Sequence, residues 1–484
     1  PLLNVISDLY EEGIKAKLTI GITPILAEQL NDEYLKDGFV KYLDSRINAV
    51  AEDLKRYPNN SVAHSQHLKY LADYYYEWYN NIKNCFLNKY NKDLIAAFRK
   101  YQDLDCIEIT TSGATHGFSP LLATDSSLNA QFKIGSDTTK RLFGRKARGA
   151  WLPECAYRPG YEAVDANGNK YWRPAIEVIL QNNSIEYFFT ESHVIEGGVS
   201  VGNRRVIGVY GNIEYIPLPP RPATGLSTYE AYWLPDAQVA VMGRNDRAGY
   251  QVWSAADGYP GDGCYREFHK KDDNSGMNYW RITSPSTDLG DKMLYDPVLA
   301  MSRVNENSDH YTTLLYNLLN DYKKATNKNG LVMVSFDTEL FGHWWFEGLE
   351  FIKSVIRKLH NFMPEVERMT AAEYLDKYPP TSAISIPESS WGQGGHFWVW
   401  QNHQTEWMWP IIHAAEKRIQ NIVSKYPSIP KDKVLHRALN QLARENLLLQ
   451  SSDWPFLITT WQARDYATER FRKHQENFER LASM

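Results

Sequence analysis

The chain has 484 residues, of which 43% are hydrophobic and 23% are charged, as in ordinary globular proteins. Its formal net charge of -5 gives no basic surface for nucleic acid or for anionic membranes, so we expect neither as a partner. No run of about 18 apolar residues occurs, which excludes a membrane-spanning helix.

Short apolar runs recur along most of the chain and predict β-strands. Several of them are continuously apolar, as expected of strands that are buried on both faces. The predicted strands are residues 18–22, 107–111, 150–153, 187–190, 206–210, 239–242 and 331–336. Amphipathic stretches between them, at residues 28–54, 67–100 and 310–324, predict helices. This alternation indicates a parallel α/β sheet, either open or closed into a barrel.

Two long irregular segments and a change of pattern divide the chain. Residues 194–236 are rich in Gly, Pro and Tyr, and residues 243–285 are a second excursion, so we expect both to be insertions with a function. After about Tyr378 strands cease, and helices are predicted over residues 407–425, 433–450 and 461–482. We therefore expect a catalytic domain over residues 1–380 and an all-helical C-terminal domain over residues 381–484.

Two acidic residues follow directly on predicted strands. Glu154 lies in GAWLPECAY, and Asp337 lies in LVMVSFDTEL. Polar residues at the carboxyl ends of barrel strands are where chemistry is usually found. Cleavage of a glycosidic bond with retention needs two carboxyl groups about 5–5.5 Å apart, one as nucleophile and one as general acid/base. The alternative is that each acid caps the next helix or pairs with an arginine.

The cysteines and histidines give no metal pattern. Cys85, Cys106, Cys155 and Cys264 lie far apart without a CxxC pair, which argues against a zinc ribbon or a disulfide framework. The closely spaced His64 and His67 lie away from every predicted strand end. We therefore predict no metal, no other cofactor and a reducing, cytoplasmic location.

Aromatic residues are abundant, with 15 Trp and 31 Tyr. Aromatic rings offer flat faces to the C–H faces of sugars, although large domains also bury many of them. Composition alone therefore leaves sugar binding and core packing open.

Eight strings of the sequence carry a resemblance to a known family. They are TIGITPIL (19–26), TSGATHGFSPL (111–121), GAWLPECAYRPGYE (149–162), FFTESH (188–193), QVWSAADGYPGDGCYREFH (251–269), FDTELFGHWWFEG (336–348), SSWGQGGH (389–396) and QSSDWPFLITT (450–460). In this order and spacing the chain resembles glycoside hydrolase family 57, and within it the 1,4-α-glucan branching enzymes. The resemblance implies a distorted (β/α)7 TIM-like barrel with inserted loops, closed by a helical C-terminal domain.

The resemblance also implies roles for individual residues. Glu154 would be the nucleophile and Asp337 the general acid/base, with an α-glucan such as amylose, glycogen or starch as substrate. The residues implied to bind the glucan are His116, His193, Trp253, Trp391, Trp398 or Trp400, Asp453 and Trp454. Tyr229 and Tyr232, in the long loop, favour transfer to an acceptor over hydrolysis. For Trp398 and Trp400, core packing is an equal alternative.

The sequence departs from the family at its beginning. The His-x-His strand that opens the family's barrel is absent, and the chain starts at Pro1. We expect a parent sequence that contains this strand; the alternative is a barrel that lacks one wall of its active site.

Other functions remain open at this point. An α-amylase and a 4-α-glucanotransferase share the first chemical step with a branching enzyme and differ in whether water, a 4-hydroxyl or a 6-hydroxyl attacks next. A metal-dependent carbohydrate deacetylase has a similar distorted barrel but needs a His/Asp metal site, and no His-x-x-x-His pair is present. A non-catalytic glucan-binding protein would bind the same polymer and be inert.

Overall fold

The computed structural model describes residues 1–57, 64–164, 168–198, 207–208, 211–212, 220–253 and 258–484. Within these residues the fold is mixed α/β. The strands are β1 (Leu18–Gly21), β2 (Ile107–Thr110), β3 (Gly149–Ala150), β4 (Tyr161–Val164), β5 (Lys170–Arg173), β6 (Tyr187–Thr190), β7 (Ile207–Gly208), β8 (Gly211–Asn212), β9 (Ala231–Trp233) and β10 (Ala240–Gly243).

Helices account for most of the rest of the described chain. They are α1 (Leu2–Glu11), α2 (Pro24–Asn31), α3 (Glu33–Arg56), α4 (Ser65–Asn84), α5 (Leu94–Asp103), α6 (Asp125–Phe143), α7 (Ile176–Asn182), α8 (Ser192–Ile195), α9 (Asp246–Trp253), α10 (Pro297–Thr326), α11 (Gly348–Phe362), α12 (Ala371–Lys377), α13 (Met408–Val423), α14 (Lys433–Leu449), α15 (Asp453–Thr459) and α16 (Arg464–Ala482). None of the described helices is long and apolar enough to cross a membrane.

A four-stranded sheet in the order β3-β6-β10-β9 carries the segments that lead to the candidate site. β3, β6 and β10 are parallel, with Ala150 opposite Phe188 and Val241 opposite Phe188, and β9 is antiparallel to β10. Every residue of β6 and β10 is buried, which explains why both were recognisable as continuous apolar runs. A parallel bridge between Thr111 and Ala150 joins the end of β2 to β3.

The structure corrects several of the predicted strand bounds. The predicted strand at 331–336 is wrong, because those residues form no strand, although Asn245 N donates to Met333 O at 2.8 Å. The strand predicted at 150–153 stops at Ala150, and a 3₁₀ turn over Pro153–Cys155 follows it. The strand predicted at 206–210 lies outside the described residues except Ile207–Gly208, which pairs antiparallel with Gly211–Asn212.

Capping residues interrupt two of the predicted helices. The amphipathic stretch 28–54 is divided by Asp32, whose side chain accepts from Leu35 N and begins α3. The stretch 67–100 is divided by a π-helical turn at Cys85–Lys89 and by Asp93, which caps α5. The excursion predicted at 243–285 contains the helix α9. The described sheets have two or four strands each and do not confirm the (β/α)7 barrel that the resemblance implies.

The described chain forms two compact units that are interleaved in sequence. The first comprises residues 1–18, 28–108 and 245–370, and the second comprises residues 19–27, 109–244 and 371–484. In the first unit, one hydrophobic cluster is built from α3, α4, α10 and α11 and includes Tyr75, Tyr311 and Trp345.

The core of the second unit joins the sheet to the C-terminal helices. Its hydrophobic cluster contains Phe188 and Val241 from the sheet, and Ile412, Leu449 and Phe471 from α13, α14 and α16. The confirmed helical C-terminal region therefore packs into one core with the parallel strands. The predicted division near residue 380 stays a prediction.

Candidate functional site

Glu154 follows β3 on a turn of unusual backbone conformation. Glu154 has φ 61° and ψ 24°, and Cys155 has φ 53°, so two successive non-glycine residues lie in the left-handed region. Such conformations cost free energy and are concentrated at functional sites. The side chain of Glu154 is only 7% exposed, so this turn holds a carboxyl group in a largely desolvated position.

Two side-chain donors fix the two oxygens of the Glu154 carboxyl group. Ser452 Oγ donates to Oε1 at 2.7 Å, and Trp391 Nε1 donates to Oε2 at 2.9 Å. The backbone N–H of Trp391 also donates to Glu154 O at 3.1 Å. An ionised carboxylate only accepts hydrogen bonds, so both donors suit the anionic form that a nucleophile requires.

His116 reaches the same carboxyl group through Ser452. His116 Nδ1 lies 2.7 Å from Ser452 Oγ and 3.7 Å from Glu154 Oε1. Because the single hydroxyl proton of Ser452 goes to Glu154, His116 Nδ1 must carry the proton that Ser452 Oγ accepts. The backbone bond from Ser452 N to His116 O, 2.9 Å long, fixes the spacing of the two residues.

The loop that carries His116 is held by a buried amide. Gln131, on α6, accepts from Thr115 N at 3.0 Å and donates to Thr115 Oγ1 at 3.0 Å and to Gln450 Oε1 at 2.9 Å. A Cβ at Gly117 would lie 2.7 Å from Gln131 Nε2, so only glycine allows this approach. Gln131 thereby ties the loop before His116 to the segment that supplies Ser452.

A pair of indole rings lies beside the carboxyl group. The Trp151 and Trp391 ring centroids are 4.9 Å apart with 58° between the ring planes, and both side chains are partly exposed. Partly exposed aromatic rings next to a desolvated carboxylate can bind the apolar face of a sugar.

Glu154 and two side chains near it have ligand atoms close enough to one another to share a metal ion. One ligand atom from each of His116, Glu154 and Asp453 lies within 4.8 Å of the others. Both His116, through Nδ1, and Glu154, through Oε1, are already hydrogen-bonded to Ser452 Oγ. The predicted absence of a metal stays a prediction.

His193 lies in the same unit, at the start of α8 after β6, and its implied contact with glucan stays a prediction. Its side chain is 2% exposed, and burial, with the positive charges of Arg221, His396 and Arg244, lowers the pKa of His193 to about 3. Its imidazole is therefore neutral at ordinary pH. Next to it, Arg244 Nη2 donates to Glu191 Oε2 at 2.9 Å in a buried ion pair.

Several residues expected to bind glucan lie in the core or at its edge. Trp400 is 1% exposed and stacks on Phe118 with centroids 4.5 Å apart, which favours the core-packing alternative for Trp400. Tyr232 is buried and donates from its hydroxyl to Ser227 O at 2.9 Å. Trp454 donates from Nε1 to Leu448 O at 2.8 Å and is partly exposed.

Asp453 and Tyr229 are more accessible members of the second unit. Asp453 is exposed, and its carboxyl oxygen Oδ2 accepts from Ser451 Oγ at 3.3 Å. Tyr229 is partly exposed, and its backbone N–H donates to Ser227 Oγ at 3.1 Å. Both side chains can therefore reach a ligand in solvent.

The first unit supplies the other predicted acid and one predicted tryptophan. Asp337 is partly exposed and lies immediately before a 3₁₀ turn over Thr338–Leu340. Trp253, at the end of α9, is 39% exposed. Trp345, which follows Asp337 closely in sequence, is buried in the core of this unit.

Ser452, Gln131 and Trp151 were missed as individual residues from the sequence. Ser452 lies inside the quoted string QSSDWPFLITT, and Trp151 lies three residues before Glu154 in GAWLPE, so both were near recognised residues. Gln131 carried no signal, because a glutamine usually faces solvent and one of its partners, Gln450, lies far away in sequence.

Comparisons with known proteins agree on one group of enzymes. The model of glycosyl hydrolase family 57 matches residues 6–387, and the model of the 1,4-alpha-glucan branching enzyme C-terminal region matches residues 411–484. A 1,4-alpha-glucan branching enzyme of Thermococcus kodakarensis is 41% identical over 484 residues, which are 100% of this chain and 68% of that protein.

Solved structures give a similar result. The crystal structure of a branching enzyme from Thermococcus kodakaraensis, in complex with glucose, has a TM-score of 0.88 at 40% identity and covers 99% of this chain and 83% of that chain. The crystal structure of the α-amylase AmyC from Thermotoga maritima has a TM-score of 0.81 at 28% identity and covers 100% of this chain and 86% of that chain.

Proposed function

We infer the activity of this chain from one premise: it belongs to glycosyl hydrolase family 57, whose model matches residues 6–387. We propose that it is a 1,4-α-glucan branching enzyme, which cleaves an α-1,4-glucan and transfers the released chain to a 6-hydroxyl group. The match of residues 411–484 to the C-terminal region of branching enzymes, and the 41% identity to such an enzyme over the whole chain, support this choice within the family.

The geometry around Glu154 is the observation that carries the chemistry. A buried carboxylate fixed at both oxygens by Ser452 and Trp391 is aligned for attack on an anomeric carbon. In the proposed first step, a Glu154 oxygen forms a bond to the anomeric carbon while the bond to the leaving 4-oxygen breaks. Asp337 gives its proton to that oxygen, and a glucosyl-enzyme ester results.

The second step decides the product. Asp337, now ionised, takes the proton of a 6-hydroxyl as that oxygen attacks the ester carbon, and Glu154 is released as a carboxylate. Two inversions at one carbon retain the α configuration. The pairing requires the two carboxyl groups to approach within about 5–7 Å in the reacting complex, which stays a prediction.

Water competes with the acceptor for the glucosyl-enzyme. Water is present at ~55 M, so transfer prevails only if the acceptor is held in attack geometry, where effective molarities reach about 10⁵ M or more. We propose that the acceptor glucan is bound in this geometry by Trp391, Trp253 and the loop with Tyr229 and Tyr232. Trp391 has the most direct support, because its indole N–H contacts the nucleophile itself.

An α-amylase is the second candidate, and the likeness to AmyC of Thermotoga maritima favours it specifically. Hydrolase and transferase share Glu154 and Asp337 in our proposal, so the product alone distinguishes them. A 4-α-glucanotransferase differs from both only in using a 4-hydroxyl as acceptor.

A metal-dependent carbohydrate deacetylase is a further alternative. In that enzyme, His116, Glu154 and Asp453 would hold the metal ion. Elemental analysis of purified protein is expected to find no tightly bound zinc. One zinc per chain, removable with loss of activity, would support the deacetylase.

Three further features complete the proposal. We propose that the strands belong to a seven-stranded (β/α) barrel. The enzyme would act in glycogen synthesis, since branching is a step of that synthesis. It would act in the cytoplasm, because all four cysteines are free thiols.

Trapping of the glucosyl-enzyme tests the proposed nucleophile. A maltosyl fluoride carrying a second fluorine on the reacting sugar ring forms the ester but releases it slowly, and mass spectrometry of digested protein locates the adduct. We expect the adduct on Glu154, its loss in Glu154→Gln, and its persistence in Glu162→Gln, which changes an exposed glutamate on β4. An adduct on another residue, or a product of inverted configuration, would disprove the proposed role.

A further inference from the structure

A cavity distinct from the Glu154 carboxyl group lies in the second unit, at the start of α8. Its volume is about 460 Å³. His193, Arg221, Glu388 and His396 contribute its titratable groups, and Thr224 and Ser385 its hydroxyl groups. The remaining wall is mainly aliphatic, with Val194, Ile195, Pro222, Leu226, Ile384 and Pro387 among its members.

The polar groups of this cavity have unused hydrogen-bonding capacity. Within the described part of the chain, neither His193 Nδ1 nor His193 Nε2 has a hydrogen-bond partner, although the side chain is 98% buried. Arg221 Nη1 is likewise buried without a partner in the described residues, while Nη2 donates to the backbone carbonyl of Glu388 at 2.6 Å. Buried polar groups normally have a partner, and their lack of one has a free-energy cost.

The shape of the backbone preserves this arrangement. Gly395 has φ 73°, and a Cβ at this position would lie 2.3 Å from His193 Nε2. Glycine is therefore required both for the conformation and for the approach to the imidazole. The same segment, residues 389–396, also carries Trp391 to Glu154, so the cavity and the nucleophile share one supporting loop.

The charges around the cavity favour an anion. Arg221 forms no salt bridge among the described residues. Burial lowers the pKa of its guanidinium, and the negative charge of Glu388 offsets this effect only in part. Arg244 lies near His193 but is paired with Glu191, so Arg221 is the cation of this cavity that has no salt bridge among the described residues. Glu388 lies at the exposed rim, where its carboxyl group disfavours a ligand with two negative charges.

The side chains of the cavity wall indicate which non-ionic group the ligand carries. The wall contains no Trp, Tyr or Phe ring among its lining residues, so it lacks the flat surface on which a glucose unit stacks. Aliphatic side chains and prolines instead favour an aliphatic group. We propose that this cavity binds a small aliphatic monocarboxylate, whose carboxylate accepts from Arg221 Nη1 and from a ring N–H of His193.

The proposal gives His193 a carboxylate ligand in place of the glucan contact that the family resemblance implies, and its test does not use activity. Sodium hexanoate is titrated into the whole protein while the imidazole signals are followed by NMR, with the His193 signal identified from its loss in His193→Gln. We expect saturable binding, a shift of the His193 signal, and a rise of its pKa from about 3, because a neighbouring anion stabilises the imidazolium. Calorimetry gives the stoichiometry, expected to be one hexanoate per chain.

Arg221→Met keeps the apolar stem and removes the charge, and it is expected to weaken hexanoate binding about 10- to 100-fold. Arg480→Met, an exposed change near the end of α16, is the matched control and should bind as the unchanged protein does. Unfolding temperatures establish that both variants are folded. If a variant does not fold, hexanoate binding to the unchanged protein still tests the proposal.

Two other ligands separate the alternatives. Inorganic phosphate should bind more weakly than hexanoate, because of Glu388 and the aliphatic wall. Maltotetraose should leave the His193 signal unchanged. A His193 shift with maltotetraose but not with hexanoate would show a sugar subsite and overturn the proposal. Absence of any hexanoate effect on His193, or binding that Arg221→Met leaves unchanged, would overturn it as well.

Discussion

The hydroxyl group of Ser452 links two residues that lie far apart in sequence. It donates to Glu154 Oε1 and accepts from His116 Nδ1, so it orients the carboxylate and sets the imidazole tautomer together. Resemblance to the family pointed to Glu154 and His116, but no local pattern distinguishes Ser452 from its neighbour Ser451. Only the fold brings residue 452 to residue 154.

Ser452→Ala should lower kcat for glucan transfer about 10- to 100-fold. The reason is the loss of a hydrogen bond to a charged group, which contributes about 1.5–3 kcal/mol. Ser424→Ala is the matched control, because Ser424 is exposed just after α13 and its hydroxyl donates only to the backbone carbonyl of Asn421 among the described residues. Steady-state rates on amylose measure the effect. Equal rates for the two variants would exclude a role for Ser452 in orienting the nucleophile.

The buried imidazole of His193 should make folding sensitive to acid. Its pKa is about 3 in the folded protein and about 6.5 in an unfolded chain, so the unfolded state binds the extra proton between these values. Its contribution to stability is complete above about pH 6.5 and is lost as the pH falls toward 3. Lowering the pH from 7 to 4 should therefore reduce the free energy of unfolding by about 3 kcal/mol through His193 alone.

Urea unfolding at pH 7 and pH 4 measures this loss. His193→Gln should lose less stability than the unchanged protein over that range. His403→Gln, which changes an exposed histidine of the same unit, should follow the unchanged protein. If His193→Gln were as acid-sensitive as the control variant, His193 would not be the group that titrates.

At the scale of elements, the loop before His116 depends on one residue of α6. Gln131→Met keeps the volume of the side chain but removes the buried partner of Thr115 N and of Gln450 Oε1. We expect a loss of about 2–4 kcal/mol in the free energy of unfolding, together with a lower kcat because His116 is displaced. Gln181→Met, an exposed change at the end of α7, should alter neither quantity. A stable and fully active Gln131→Met would contradict this account.

Elements were predictable where burial alone determines them. β6 and β10 are buried on both faces, and their apolar runs were found at nearly their observed bounds. The run at 331–336 is equally apolar but forms no strand, because a strand needs hydrogen-bonded partners that a local sequence does not reveal. The turn at Glu154 was not predictable either, since nothing in the local sequence requires two successive residues with positive φ.

At the scale of the whole molecule, the chain crosses between its two compact units several times. The second unit contains segments from residues 19–27, 109–244 and 371–484, and the C-terminal helices share its core with the parallel strands. The change to an all-helical pattern after residue 378 was visible in the sequence. The interleaving was not, because contact between distant segments leaves no periodic signal.

The product formed from amylose tests the central claim most directly. We expect the protein to lower iodine staining and to create isoamylase-sensitive α-1,6 branches while releasing few reducing ends. Glu154→Gln and Asp337→Asn should abolish both transfer and hydrolysis, whereas Trp391→Ala should raise hydrolysis relative to transfer. Abundant reducing ends without branches would contradict branching and indicate an α-amylase, and dominant disproportionation of maltooligosaccharides would indicate a 4-α-glucanotransferase.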